Sequence, residues 1–424
     1  MSADLLQSLR GELGGLAKLL GARATAERKP PLLGLPDHDG SLSALLYGRA
    51  GQFDTLPFPN MEWWWNTVEV EVESGARYFL LTNVHSFGTM AGPPVTCGTL
   101  AVFDVRSGQR WGLRSLGSVS GDRSCVYRAP GWLLQRLDPQ AQSFSSDLQR
   151  AAEALKVNAA ELARASEQGC YVVSIALPEL EVQLYFEQRA TALYGDASTP
   201  GWYDNNPGGR LPCWASYRSR FEIPRGRVRL GSPGSRVQHV NGGNARFDHQ
   251  SVHWSTRDNG LPSPPALLEQ LLNRPKWVWY HGRINERLNV MAYQIWNVNT
   301  RLKTKLAAAI ADEATGALVR LGSGDMSFRF PRTTGPLSAP VDTELSLTVR
   351  EGCPGVPAGS YQLRFHYDDA IDWTVDYAAG RALVFRAQEA FCSLSGRTPL
   401  GPANGTGTQE VLDLGALKPA GTLR

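Results

Sequence analysis

The chain lacks any concentration of basic charge: 43 Lys+Arg stand against 40 Asp+Glu, a formal charge of +3, with the signs interspersed. No stripe of cations tracks a phosphate backbone, so nucleic acid is not an expected partner. Long apolar runs are missing too, and none approaches the ~20 residues that a spanning helix needs. The opening MSADLLQSLRGELGGLAKLLG sets Leu5, Leu6, Leu9, Leu13 and Leu16 at helical spacing, but Arg10, Glu12 and Lys18 interrupt any secretory signal. It reads as a short amphipathic helix able to visit a membrane surface, and the expected location is the cytoplasm.

Metal and cofactor signatures are equally scarce. Six cysteines (Cys97, Cys125, Cys170, Cys213, Cys353 and Cys392) lie far apart, with no CxxC and no His/Cys cluster at ligand spacing. They read as reduced thiols serving as small buried hydrophobes. A Gly-rich phosphate loop, a GxSxG elbow and an HExxH helix are all absent. Of seven histidines only His249 and His253 are close in sequence, and on a strand that spacing separates them by about 13 Å at ~3.3 Å per residue. The expectation is a site with no metal and no cofactor.

What the sequence has in abundance is two-residue alternation. TVEVEVESGARYFLLTNV places Val68, Val70 and Val72 on one face and Glu69, Glu71 and Glu73 on the other, then turns through Ser74-Gly75 into a second strand. GTLAVFDVRSGQRWGLRSL, YRSRFEIPRGRVRLG, WVWYHGRINERLNVMAYQIW and GSYQLRFHYDDAIDWTVDYAAGRALVF each read as paired β-rich runs around Gly, Pro, Asn or Asp. Helical periodicity is confined to the N-terminal segment, to a 147–167 insertion with Leu148, Ala152, Leu155, Ala159 and Leu162 on one stripe, and to the connector PALLEQLL at 265–272. The fold class predicted is mainly β: two linked antiparallel barrel or sandwich units with a few peripheral helices. Pro/Gly breaks set the expected boundaries at 1–56 for a helix and linker, 57–262 for the first unit and 263–424 for the second.

Each unit opens on tryptophans, MEWWWN at 61–66 and KWVWYHG at 276–282. On a strand Trp277, Trp279 and His281 share one face, opposite Val278 and Tyr280, and Glu62 shares a face with Trp64. These rings either line a ligand cavity or plug a barrel as packing. In ARFDHQ, Asp248 and Gln250 share a face and His249 takes the other. Two readings stay open for Asp248. In an aromatic cavity, desolvation would lift its carboxyl from ~3.9 toward ~7, for about 4 kcal/mol, and make it a proton donor. Alternatively it is ion-paired to Arg246, Arg220 or Arg218 for structure.

In order along the chain, MEWWWNTVEVEVESGARYFLLTNVHSF, ARFDHQ, KWVWYHGRINERLNVMAYQIWN and NGTGTQEVLDLG resemble the lipocalin-like family that contains hydroxyneurosporene synthases (carotenoid hydratases) and fungal decalin-forming Diels–Alderases. The likeness spans roughly residues 57–420. It implies two linked lipocalin-type units with a ligand pocket at or near their junction. It implies further that Asp248 is the acidic residue of the triplet with His249 and Gln250 beside it, that Glu62, Trp63 and Trp64 are the opening motif, and that Glu410 is the glutamate of the closing strand. The chain departs from the family where Trp65 replaces a tyrosine and where Ser251-Val252 follow the triplet in place of Trp-Gly.

The resemblance implies a cofactor-free enzyme of an unsaturated isoprenoid or polyketide, and two chemistries. In acid-initiated hydration or cyclisation, Asp248 protonates an alkene and Trp64, Trp277 and Trp279 shield the cation. In pericyclic cyclisation the pocket only folds a polyene, and Asp248 and Gln250 hold a polar group. A third reading, from the barrel alone, is a carrier of an apolar ligand without turnover. The partner is a hydrophobic small molecule in all three.

Overall fold

The computed structural model describes residues 61–87, 95–117, 125–129, 131–136, 146–165, 170–188, 193, 202–204, 213–253, 275–297, 303–335, 337–367, 373–379 and 383–413. The N-terminal helix and the 265–272 connector lie outside them.

Two antiparallel sheets curl into half-barrels. The first runs β1 (Met61–Val72), β2 (Arg77–Phe87), β3 (Val95–Asp104), β4 (Arg110–Gly117), β5 (Cys125–Ala129), β6 (Trp132–Arg136), β7 (Tyr171–Leu177), β8 (Leu180–Gln188), β9 (Trp202–Asp204), β10 (Cys213–Leu230) and β11 (Gln238–His253). Its spatial order is β4-β3-β2-β1-β11-β10-β8-β7-β6-β5, with β9 on β10. The second runs β12 (Pro275–Ile284), β13 (Leu288–Asn297), β14 (Lys303–Asp312), β15 (Leu318–Leu321), β16 (Met326–Thr334), β17 (Ala339–Val349), β18 (Gly359–Tyr367), β19 (Trp373–Ala379), β20 (Leu383–Thr398) and β21 (Gly401–Asp413). Its order, β15-β14-β13-β12-β21-β20-β18-β17-β16 with β19 on β20, repeats the first apart from β5. In both, the opening strand pairs with the closing one in the middle of the sheet, which ties each unit's first and last segments together.

The predicted hairpins form where turn chemistry and alternation agree: β1/β2, β3/β4 and β12/β13 pair in the expected register. Two expectations change. YRSRFEIPRGRVRLG is not a hairpin but part of the single strand β10, because a bulge between Glu222 and Arg225 absorbs Pro224 without reversing the chain. GSYQLRFHYDDAIDWTVDYAAGRALVF yields three strands rather than two. Close pairing of β12 and β21 depends on Gly405, where an added Cβ would stand 1.8 Å from the Arg283 carbonyl.

The helical insertion is two helices, α1 (Ser146–Ala154) and α2 (Ala159–Ala165). Lys156 turns left-handed at φ 57 between them. Asn158 then caps α2, its Oδ1 accepting from Glu161 N–H while the Glu161 carboxylate accepts from Asn158 N–H. Ala152 and Leu155 lie buried on the outer face of the first sheet with Leu133, Val172 and Tyr185. Arg225 of β10 pins the insert by pairing with Glu161.

Besides the cluster under the helices, three apolar cores occur among the described residues. One fills the first sheet's concave side around Val68, Leu80, Val182 and Phe247, and another fills the second's around Val278, Leu345, Phe365 and Val411. The third joins the sheets, with Trp65, Phe79 and Leu81 from the first against Trp277, Trp279, Tyr293 and Phe391 from the second. Phe79 stacks on Phe391 with ring centroids 3.7 Å apart. Among the described residues no helix is long and apolar enough to cross a membrane.

Candidate functional site

Alternation decides which side chains reach the junction. On β11, Ala245 and Phe247 enter the first sheet's own core, so Arg246 and Asp248 take the other face, the one that Trp65 takes on β1. Arg246 confirms this direction, its Nη2 donating to Thr406 Oγ1 of the second sheet at 3.3 Å. Asp248 is 1% exposed and stands directly opposite Trp65 across the ladder. Asn83 of β2, on the far side of Trp65, is buried on the same face.

The two motifs that are far apart in sequence thus become neighbours. In the β1/β11 register Glu62 faces Ser251, Trp63 faces Gln250 and Trp64 faces His249. The side chains of Glu62, Trp63, Trp64, His249 and Gln250 lie outside the described residues, so for these five the placement is one of backbone only.

The second sheet presents a matching row. Trp277 and Trp279 are wholly buried at the junction rather than inside their barrel, and His281 follows on the same face, 1% exposed. Trp279 stacks on Tyr293 at 4.3 Å and stands opposite Glu410 of β21. Trp277 donates its indole N–H to Glu410 Oε1 at 2.7 Å. Glu389 of β20 stands directly opposite Glu410 and is likewise buried. One rung beyond, Thr408 sits between His281 and Phe391, 1% exposed.

Behind this row, on the barrel side of the same strands, Tyr280 donates to Gln409 Oε1 at 2.9 Å and bonds Thr343. Burial pushes the Tyr280 phenol well above its ordinary range. It stays a donor and locks β12 to β21, which holds the junction row in place.

The structure thus brings Asp248 and the Trp277/Trp279/His281 strand, both singled out in the sequence, onto two faces that close over one another. The sequence reading missed Asn83, Thr408 and Glu389, whose only signal is strand alternation combined with pairing partners such as Trp65, Phe391, Glu410 and His281 that lie far along the chain. No group of His, Cys, Asp and Glu arranged to hold a metal occurs among the described residues. Chemically, the junction is an apolar, aromatic contact between the sheets with a buried carboxyl on each side, Asp248 and Glu410.

No family model matches the chain, and no curated protein does. Among solved structures, a protein assigned as AttH from Nitrosomonas europaea superposes with a TM-score of 0.56 at 16% identity, covering 88% of this chain and 98% of that one. Kievitone hydratase from Nectria haematococca superposes with a TM-score of 0.51 at 13% identity, covering 85% of this chain and 92% of that one. These likenesses establish the fold: the chain is built as a lipocalin-like pair of antiparallel β units, over nearly the whole length of both structures.

Proposed function

We propose that the protein is an enzyme that adds water to, or cyclises, a hydrophobic unsaturated isoprenoid or polyketide in the space between the sheets, with Asp248 as proton donor. One observation carries this reading: Asp248 is a buried carboxyl set directly opposite Trp65, on the face that closes over Trp277 and Trp279. A carboxyl so buried has lost most of water's stabilisation of its anion, which is the physical basis for holding and delivering a proton. The shared fold of a protein named as a hydratase supports the same choice.

In the proposed cycle the alkene π electrons take the Asp248 proton at the less substituted carbon, leaving a tertiary cation. Desolvated indoles contribute up to ~2 kcal/mol each to that cation. Water then bonds to the cationic carbon and its surplus proton returns to the Asp248 carboxylate, or, in cyclisation, a second alkene attacks and a neighbouring C–H returns the proton. The atoms balance with water alone, so the reading calls for no cofactor. We assign Gln250 to orienting the water, and Trp63, Trp277, Trp279 and His281 to holding the substrate; Glu62, Trp64 and His249 hold the alternate register positions, in line with Val68 and Phe247, and take no part in this scheme.

A second reading is favoured by Arg246, buried on the same face two residues from Asp248. If that guanidinium keeps the aspartate ionised, the site folds a polyene for pericyclic closure instead, a gain from orientation rather than proton transfer.

The deciding experiment incubates the full chain and its Asp248→Asn variant with unsaturated isoprenoids and polyketides in deuterated water and follows product masses. Hydration, or deuterium-labelled isomerisation, that disappears in the variant is the expected result. Unlabelled isomerisation surviving the variant establishes the pericyclase, and bound ligand recovered unchanged from both proteins establishes a carrier.

A further inference from the structure

We infer that the second sheet supplies a receptor for a hydroxyl group, so that the substrate is an oxygen-bearing amphiphile rather than a pure hydrocarbon. This rests on the reading above that the junction holds the substrate. The observation behind it is Thr408: its hydroxyl is buried and has no hydrogen-bond partner among the described residues. Leaving such a group unsatisfied forfeits its hydration with nothing in return, and a protein core avoids it unless something else fills the need.

The surroundings say what fits. On β21, Val411 points into the barrel core and Leu412 into the junction, so Thr406, Thr408 and Glu410 form one row on the junction face. Thr406 meets Arg246 of the first sheet, and Asp248 and Thr408 each lie one two-residue step from that contact along their own strands. Glu410 accepts from Trp277 at Oε1, which fixes the carboxylate and marks it as an acceptor. A ligand hydroxyl accepts from the Thr408 hydroxyl while donating to the Glu410 carboxylate beside it, which already accepts from Trp277, whereas a hydrocarbon leaves Thr408 unpaired. A ligand carbonyl would answer Thr408 alone. Selectivity of this kind arises because a site built around buried polar groups rejects the analogue that leaves them unpaired.

The test uses farnesol and its hydroxyl-free counterpart farnesene as probes, titrated against the full chain by calorimetry. The wild-type protein is expected to bind farnesol at least about tenfold more tightly than farnesene. In Thr408→Val, an isosteric change, that ratio should fall about 3- to 10-fold with farnesene affinity unchanged, and Thr408→Ser should restore it. If the valine variant does not fold, Thr408→Ala removes the same hydroxyl without the branched methyls. A wild-type protein with no preference for farnesol, or a ratio that survives the loss of the hydroxyl, overturns the inference. Its failure is separable from that of the proposed chemistry. Deuterium incorporation with an unchanged ratio removes the receptor and leaves the acid, whereas a collapsing ratio without turnover leaves the receptor on a carrier.

Discussion

The two sheets share one strand order, yet they treat their junction carboxylates differently. In the first, the row across β2, β1, β11 and β10 reads Asn83, Trp65, Asp248, Arg218, with Arg246 two residues from Asp248 on the same face. In the second, the row across β13, β12, β21 and β20 reads Tyr293, Trp279, Glu410, Glu389, and an indole N–H is fixed on the glutamate. Each half therefore sets a carboxyl on its closing strand opposite a tryptophan of its opening strand. The second half holds its carboxylate still as an acceptor, and the first is the one we assign to move a proton.

That asymmetry is broken most directly by treating the two carboxyls alike. Asp248→Asn should lower kcat by about 10²–10⁴-fold, the range of general-acid catalysis. Glu410→Gln keeps an oxygen for Trp277 and should instead raise KM with a much smaller change in kcat. Steady-state kinetics on the substrate found by the labelling experiment reads both, and equal losses of kcat would mean that the two halves share the proton chemistry.

The next effect concerns how the halves are joined. Phe391→Ala removes a ring stacked on Phe79 across the junction and should cost about 3–5 kcal/mol in denaturant unfolding. A double-mutant cycle with Phe79→Ala should return a coupling of about 0.5–1.5 kcal/mol beyond area burial. No coupling would mean that the sheets hold together without this pair. Within the second half alone, Trp277→Phe keeps one aromatic ring but strips the indole donor from a buried Glu410 and leaves a small cavity, with an expected cost of about 1–3 kcal/mol or more by the same measurement.

Much of the architecture was legible in the sequence because strand alternation is local. Val68, Val70 and Val72 predict their own face, and Val278 and Tyr280 predict theirs. The site was legible only in its parts. Asp248 and the Trp277/Trp279/His281 strand were picked out by motif, but alternation cannot say whether a face looks into a barrel or onto a second sheet. The tryptophans prove to join the sheets instead of filling a barrel. Thr408 and Glu389 carry no local signal at all, since a threonine or glutamate in a β-run reads as a solvated face until its strand is paired and covered.

The second half also carries an electrostatic device that pH separates from the site. Asp342, buried on the outer side of β17, accepts from His366 at 2.8 Å, Arg364 at 2.9 Å and Arg332 at 2.6 Å. The His366 contact foremost, then the two guanidinium groups, hold its carboxyl well below the usual carboxylate range. A depressed folded-state pKa contributes stability that is present above the ordinary value of about 4 and is lost as pH falls through and below it. Asp342→Asn should therefore be less stable than wild type at neutral pH, and the gap should close as the solution is acidified below about pH 4. Because the three partners are half exposed or more, salt should narrow the gap as well. A gap independent of pH would mean that Asp342 acts through hydrogen bonding alone.

The smallest effect lies where the halves differ most in shape. Between β6 and β7 the first sheet inserts α1 and α2, whereas the matching connection from β16 to β17 is the short turn that contains Gly335 and Ser338. The end of α1 closes as a Schellman motif, with Val157 N–H donating to Ala152 O and Lys156 N–H to Glu153 O, both at 2.9 Å. The motif requires a left-handed residue, and here it is Lys156 at φ 57 rather than glycine. A left-handed conformation costs a side-chain-bearing residue roughly 1–2 kcal/mol, partly offset by the greater freedom of glycine in the unfolded chain. Lys156→Gly should therefore stabilise the protein by about 0.5–1 kcal/mol. The carbonyl of Lys156, which accepts from Arg225 at 2.9 Å, is untouched by the change. Loss of stability in the glycine variant would instead show that the lysine stem packs usefully against the first sheet, and that the insert is held by more than its cap, its apolar stripe and the Arg225 clamp.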